Sequence, residues 1–120
     1  MAITTSQTAA VLAAIERNLK RLGLATPDVI KMQVFLVGDP AKGGRMDFAG
    51  SMEGYRQFFG TPQQPNLPAR SVVQVAALAN PGWLVETEAT VVRPWHSCAQ
   101  DKMINQPAPA ADRRTIDRSH

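Results

Sequence analysis

Three charged side chains in two apolar runs are the residues of this sequence whose types and spacing best suit chemistry. Arg70 opens the run 70–77, and Glu86 and Glu88 alternate with other residues in the run 83–92. Both runs are rich in β-branched residues and bounded by proline and glycine, which predicts two β-strands. Because alternate side chains of a strand share a face, the two carboxylates are expected on one face, near the arginine.

These side chains support one catalytic and one structural interpretation. A guanidinium binds a carboxylate ligand through two parallel hydrogen bonds, and a nearby carboxylate can orient a water molecule and take its proton. In the structural interpretation, Arg70 only neutralises Glu86 or Glu88 at a strand end, as many surface ion pairs do. The residues alone leave both interpretations open.

The remaining patterns predict one more strand and two helices. The strand is expected at 29–37, and Asn-Pro-Gly at 80–82 predicts a tight turn. The apolar face of the strand at 29–37 consists of Ile30, Met32, Val34 and Leu36. The first helix is expected between hydroxyl N-caps at 4–6 and a terminating Gly23. Its apolar stripe consists of Leu12, Ile15, Leu19 and Leu22.

The second helix is expected at 46–59, with glycines that permit close packing against it. Its aromatic and apolar stripe consists of Phe48, Met52, Tyr55 and Phe59. A helix–strand–helix–strand–strand order with amphipathic helices predicts a two-layer α+β sandwich, a sheet with both helices on one face. The domain is expected at 1–94, and the polar stretch 95–120, which contains proline and alanine, is expected to be a disordered tail.

Composition excludes several classes of function. The 120 residues carry a net charge of only +3, without a basic run interleaved with aromatics, so no nucleic-acid partner is expected. No apolar stretch is long enough to span a membrane and the N-terminus is unlike a signal peptide, so a cytoplasmic location is expected. Cys98 lies in the polar tail, and His96 and His120 are isolated, so neither a catalytic thiol nor a metal site is expected. The glycine pair 43–44 lacks the spacing of a phosphate loop, and no cofactor is expected.

Specific sequence motifs carry a family resemblance. Pro-Ala-Arg-Ser-Val-Val-Gln-Val-Ala-Ala-Leu at 68–78, followed by Val-Glu-Thr-Glu-Ala-Thr-Val-Val at 85–92, resembles the end of the Rid family. This family, also called YjgF or L-PSP, comprises small enamine/imine deaminases. The segment 31–36 is similar to its central strand and 55–59 to the end of its second helix, so the resemblance runs from about Thr8 to Pro94.

The resemblance implies a chorismate-mutase-like Rid fold with a mixed sheet, in a homotrimer whose sites lie between subunits. The implied reaction is hydrolysis of a 2-imino or enamine acid to a 2-oxo acid and ammonia. Arg70 matches the arginine that holds the substrate carboxylate, and Glu86 matches the acid that handles the water. Glu88 is expected to make a solvated or interface salt bridge.

The chain departs from the family pattern at several positions. Family members have an N-terminal segment that contributes strands, a tyrosine and a Ser-Gly-Gln strand to the pocket, and this chain begins almost at the first helix. Met52 stands where active members often have asparagine, and Val72 where cysteine is frequent. The unpaired sheet edge predicts that the chain oligomerises through this edge or is poorly stable.

Two further functions remain as alternatives. One is a non-catalytic trimeric relative that binds small carboxylates or acts like a chaperone. The other, an endoribonuclease, follows an old description of the family. It is disfavoured because the chain has no basic stripe and no histidine in the part expected to fold.

Overall fold

The structure, a computed structural model, describes residues 2–93 together with the backbone of 112–117. The predictions for His96, Cys98 and His120 concern residues outside these ranges. The elements in chain order are α1 (Ile3–Arg21), β1 (Val29–Val37), α2 (Phe48–Tyr55), β2 (Ala69–Val75), β3 (Val85–Arg93) and β4 (Asp112–Asp117). Short 3-10 turns at Thr26–Asp28 and Pro40–Lys42 precede and follow β1.

The strands form one mixed sheet in the order β2-β1-β3-β4. Strand β1 pairs in parallel with β2 and antiparallel with β3, and β3 pairs antiparallel with β4. Along β3 every second side chain is buried, from Val85 to Val91, and these side chains face the helices. The expected α+β sandwich of two helices on one face of a mixed sheet is therefore confirmed.

Strand β1 contains an irregularity that changes which residues are buried. The pairing register with β3 shifts between Val29 and Lys31. As a result Val29 is buried, whereas Ile30 is 44% exposed. The prediction that Ile30 belongs to the apolar face is wrong, because a bulge breaks the two-residue alternation on which it rests. Beyond this point the alternation of β1 is as expected.

Helix α1 ends as expected but begins differently. Gly23 has φ 74° and its N–H donates to the Lys20 carbonyl at 3.1 Å, as a terminating glycine does. The N-cap is Ala2, without a side-chain cap, so the predicted hydroxyl cap is wrong. Thr4 and Thr5 instead lie inside the first turn and are buried. Packing against the rest of the fold, rather than capping, accounts for these threonines.

Helix α2 is shorter than the predicted range 46–59. It begins after Asp47, whose carboxylate accepts a hydrogen bond from the Gly50 N–H at 3.0 Å, and it ends at Tyr55. Gly54 lies against α1: a Cβ atom at this position would be 2.8 Å from the Thr8 Cβ. The glycines therefore let the two helices cross closely, as the sequence suggested.

Strand β4 lies within the stretch 95–120, for which composition predicts a disordered tail. Its residues pair with Glu88–Arg93 of β3. Pairing gives hydrogen-bond partners to backbone groups of β3 that an edge strand would leave open. Neither α1 nor α2, the two α-helices in the described ranges, is long and apolar enough to cross a membrane.

Candidate functional site

Arg70 lies on the sheet face that the helices cover. It is the second residue of β2, the strand at one edge of the sheet, and its register partner on β1 is Met32. Cross-strand partners share a face, and Met32 is only 1% exposed. The guanidinium therefore points toward α2, and its location on an edge strand leaves it partly exposed.

A hydrogen-bonded loop connects α2 to Arg70. The Gln64 carbonyl accepts the N–H groups of Gly60 at 2.8 Å and Thr61 at 3.1 Å. The Gln64 side chain is buried and donates to the Asn66 carbonyl at 2.9 Å. These bonds fix the turn after α2, and thereby the point at which β2 begins.

The guanidinium of Arg70 lies between an aromatic ring and a thioether. Its central carbon is 4.3 Å from the centroid of the Tyr55 ring, within the range of a cation–π interaction. Its Nη1 donates to the Met52 sulfur at 3.1 Å. The Tyr55 ring also stacks on Phe59, with centroids 5.0 Å apart and planes 16° apart. Arg70 is thus held by uncharged groups at the C-terminal end of α2.

Tyr55 is the residue of this cluster that sequence reasoning missed. The sequence placed it only in the apolar stripe of α2, and it is indeed 6% exposed. Burial raises the pKa of its hydroxyl, and the positive charge of Arg70 opposes part of this rise. A tyrosine three residues after Met52 was a signal for this contact, but only the placement of β2 brings Arg70 over the ring.

The two positions that depart from the family pattern lie beside Arg70. Met52 contacts the guanidinium directly. Val72 follows Arg70 by two residues on β2, so it shares the same face, and it packs against the core. Where the resemblance implies an amide and a thiol, this surface has a thioether and an aliphatic side chain.

Glu86 lies on the opposite face of the sheet from Arg70. Its register partner is Phe35 on β1, whereas the partner of Arg70 is Met32, three residues away on the same strand. Residues separated by an odd number along a strand point to opposite faces. The expectation that the carboxylates lie near the arginine is therefore wrong within one chain, because β1 separates β2 from β3.

The same geometry rules out, within one chain, the structural interpretation in which Arg70 neutralises a glutamate of β3. Glu88 pairs with Gln33 and so lies on the outer face with Glu86. Beside it is a small polar hollow of about 150 Å³, lined by Lys31, Met32, Gln33, Glu88 and Thr90. The alternation predicted for β3 is confirmed, since Val85 and Ala89 are buried on the other face.

A larger groove lies elsewhere, between α1 and the start of β3. Its volume is about 410 Å³, and it is lined by Gln7, Ala10, Val11, Ala14, Arg17, Trp83 and Val85. The Gln7 side chain spans one end, because it donates to the Gly82 carbonyl at 3.0 Å and accepts from the Leu84 N–H at 2.7 Å. This groove includes neither Arg70 nor Glu86.

The fold occurs in solved structures of small bacterial proteins. Escherichia coli TdcF with bound serine is 36% identical, with a TM-score of 0.60 over 74% of this chain and 64% of TdcF. The E. coli YjgF gene product is 31% identical, with a TM-score of 0.60 over the same shares of the two chains. These similarities define the chain as a YjgF-like α+β domain.

The sequence comparison identifies the family. The model of the family described as endoribonuclease L-PSP matches residues 2–93, and this chain belongs to that family, the Rid or YjgF family. A RutC family protein of Haemophilus influenzae is 35% identical over 79 residues. That match covers 66% of this chain and 55% of the relative, so the chain spans about half the length of this curated relative.

Proposed function

We propose that this chain hydrolyses reactive 2-imino or enamine acids to 2-oxo acids and ammonia, with Arg70 holding the substrate carboxylate. The observation that carries the proposal is the environment of Arg70. Its guanidinium hydrogen-bonds to the Met52 thioether and lies over the neutral Tyr55 ring. A partly exposed guanidinium in uncharged surroundings is suited to bind a carboxylate.

A related protein provides independent support. The structure of E. coli TdcF contains bound serine, an amino acid with a carboxylate and a nitrogen on the adjacent carbon. A 2-imino acid has the same arrangement of groups. A ligand of this size suits a site built around one arginine fork.

The proposed water-handling residue is Glu86 from a second copy of the chain. Arg70 and Glu86 of one chain lie on opposite sheet faces, so a site that uses both residues requires two chains. The outer face that carries Glu86 also presents apolar side chains, including Phe35 and the 46% exposed Val73. Such a face favours burial against another copy, in agreement with a homotrimer with sites between its subunits.

The proposed reaction follows from these roles. Arg70 fixes the carboxylate of the imine, and the Glu86 carboxylate orients a water molecule and accepts its proton as the oxygen bonds to the imine carbon. Glu86 returns this proton to the imine nitrogen to give a carbinolamine, whose hydroxyl proton passes to the amine as the carbon–nitrogen bond breaks, leaving the 2-oxo acid and ammonia. Water is the only co-reactant, so the reaction consumes no cofactor.

The alternative is a non-catalytic trimeric relative that binds small carboxylates at the same arginine or acts like a chaperone. Met52 and Val72 favour it, because they replace groups that are polar in active relatives with groups that cannot orient a water molecule. In this alternative Arg70 binds the carboxylate of the ligand, but the protein does not accelerate imine hydrolysis.

A coupled assay separates the two functions. An amino-acid oxidase or a dehydratase generates the imine, and semicarbazide competes with the protein for it. Wild-type protein that accelerates imine loss, with the acceleration abolished in Arg70→Ala, would support the enzyme. If folded wild-type protein binds pyruvate but does not change the rate, the deaminase proposal is wrong and the binding relative is favoured.

A further inference from the structure

The Arg70 guanidinium has two different neighbours, and they constrain it in different ways. The central carbon of the guanidinium lies over the Tyr55 ring, 4.3 Å from its centroid. Cation–π attraction holds the guanidinium at the ring while leaving N–H groups that do not face the ring free to bind a ligand. These N–H groups are the ones that form paired hydrogen bonds with a carboxylate.

The ring itself is held rigidly. Tyr55 is 6% exposed and stacks on Phe59, which is 2% exposed. Tyr55 is the last residue of α2 and Phe59 lies in the turn after it, where the N–H groups of Phe58 and Phe59 each donate to the Tyr55 carbonyl at 3.0 Å. The ring is therefore a fixed surface, whereas the arginine side chain that reaches it from the edge strand is long and rotatable.

The second neighbour is a weak hydrogen-bond acceptor. The Met52 sulfur accepts from Nη1 at 3.1 Å. A thioether is a much weaker acceptor than a carboxylate oxygen. An anionic ligand can therefore replace it at this N–H group at little cost.

From this arrangement we infer that Tyr55 is the positioning residue of the site. Its ring fixes the position of the Arg70 guanidinium, while the Met52 thioether occupies one N–H group until a carboxylate displaces it. The inference rests on the proposed function only in that a carboxylate binds at Arg70. It assigns to Tyr55 a role in ligand affinity that is separate from its role in the core.

Binding of pyruvate, measured by calorimetry on the full chain, tests the inference. Tyr55→Phe keeps the ring and should bind as wild type does, whereas Tyr55→Leu should bind roughly 3- to 10-fold more weakly. Met52→Leu removes only the sulfur acceptor, and its affinity should stay within about two-fold of wild type. The methyl ester of pyruvate, which lacks the charge, is the control ligand.

A second series keeps the test valid if Tyr55→Leu does not fold. Progressively fluorinated phenylalanines at position 55 keep the shape of the ring and withdraw its negative face, so pyruvate affinity should fall stepwise with fluorination. In the imine assay, weaker positioning should raise KM with little change in kcat, whereas loss of folded protein would lower the apparent kcat alone.

The possible outcomes distinguish this inference from the proposed function. If fluorination leaves affinity unchanged while Arg70→Ala abolishes binding, the positioning role of Tyr55 is wrong and the role of Arg70 stands. If Arg70→Ala binds pyruvate as wild type does, the proposed function fails at its first step and the inference fails with it. A stepwise loss of affinity, together with wild-type binding by Tyr55→Phe, supports both.

Discussion

A site that takes Arg70 from one chain and Glu86 from another can be tested by mixing two inactive variants. Arg70→Ala removes the carboxylate fork, and Glu86→Gln removes the proton acceptor with little change in shape. Neither variant alone should have a complete site, because every chain of that variant lacks one of the two groups. The two side chains lie on opposite faces of one chain's sheet, so a complete site must take them from two chains. A mixed oligomer, however, can combine the intact arginine of one variant with the intact glutamate of the other.

The expected recovery follows from counting. At equal amounts and with random assembly, the chain that supplies the arginine is intact at that position in half of the sites, and so is the chain that supplies the glutamate. About a quarter of the sites should therefore be restored, and the fraction is the same for any closed ring of subunits. A site formed within one chain would give no recovery at all.

A companion mixture gives a signal under both arrangements. Wild type is assembled with an equal amount of the double variant that carries Arg70→Ala and Glu86→Gln. Sites between chains should then retain about a quarter of the fully wild-type activity, and sites within a chain about half. Glu86→Gln mixed with the double variant is the matched control and should be inactive, since no chain supplies the glutamate.

The assay is the rate of imine loss in competition with semicarbazide. The chains are refolded together at equal amounts and assayed as the unfractionated mixture, with circular dichroism as the check of folding. No recovery in the first mixture, together with half of the activity in the second, would place the site within one chain. That result would refute the reasoning from the two sheet faces.

Three further predictions concern stability. Gly54→Ala should lower the free energy of unfolding by about 1–2 kcal/mol, because overpacking against α1 outweighs a gain in helix propensity of about 1 kcal/mol. A higher free energy of unfolding for the variant, measured by urea denaturation, would contradict the close packing of Gly54 against α1. Burial raises the pKa of Tyr55 above its ordinary value near 10, so folding stability should fall as the pH rises from about 10 through the folded pKa. In Tyr55→Phe this part of the alkaline loss should disappear, and equal slopes for the two proteins would contradict it. Gln7→Ala should lower the free energy of unfolding by about 1–2 kcal/mol, because it removes the two hydrogen bonds to the loop 82–84. Gln7→Glu keeps the acceptor and should recover part of this loss, as measured by thermal unfolding. Equal stability of all three proteins would show that these hydrogen bonds contribute nothing.

The sequence by itself determined the local elements of this protein. Strand geometry predicts that Glu86 and Glu88 point to one face of the sheet and Val85 and Ala89 to the other, and the structure has this alternation. The end of α1 at Gly23 follows from the tolerance of glycine for positive φ. These features depend on residues that are close in the chain, so local propensity and periodicity were enough to predict them.

The tertiary structure alone decided how these elements meet. Strand β1 lies between β2 and β3, and this order, rather than any local preference, separates Arg70 from Glu86 and brings Arg70 over Tyr55. The pairing of β4 with β3 likewise joins segments that composition had assigned to different parts of the chain. Such pairings depend on contacts between residues far apart in sequence, and the same strand patterns are compatible with several strand orders.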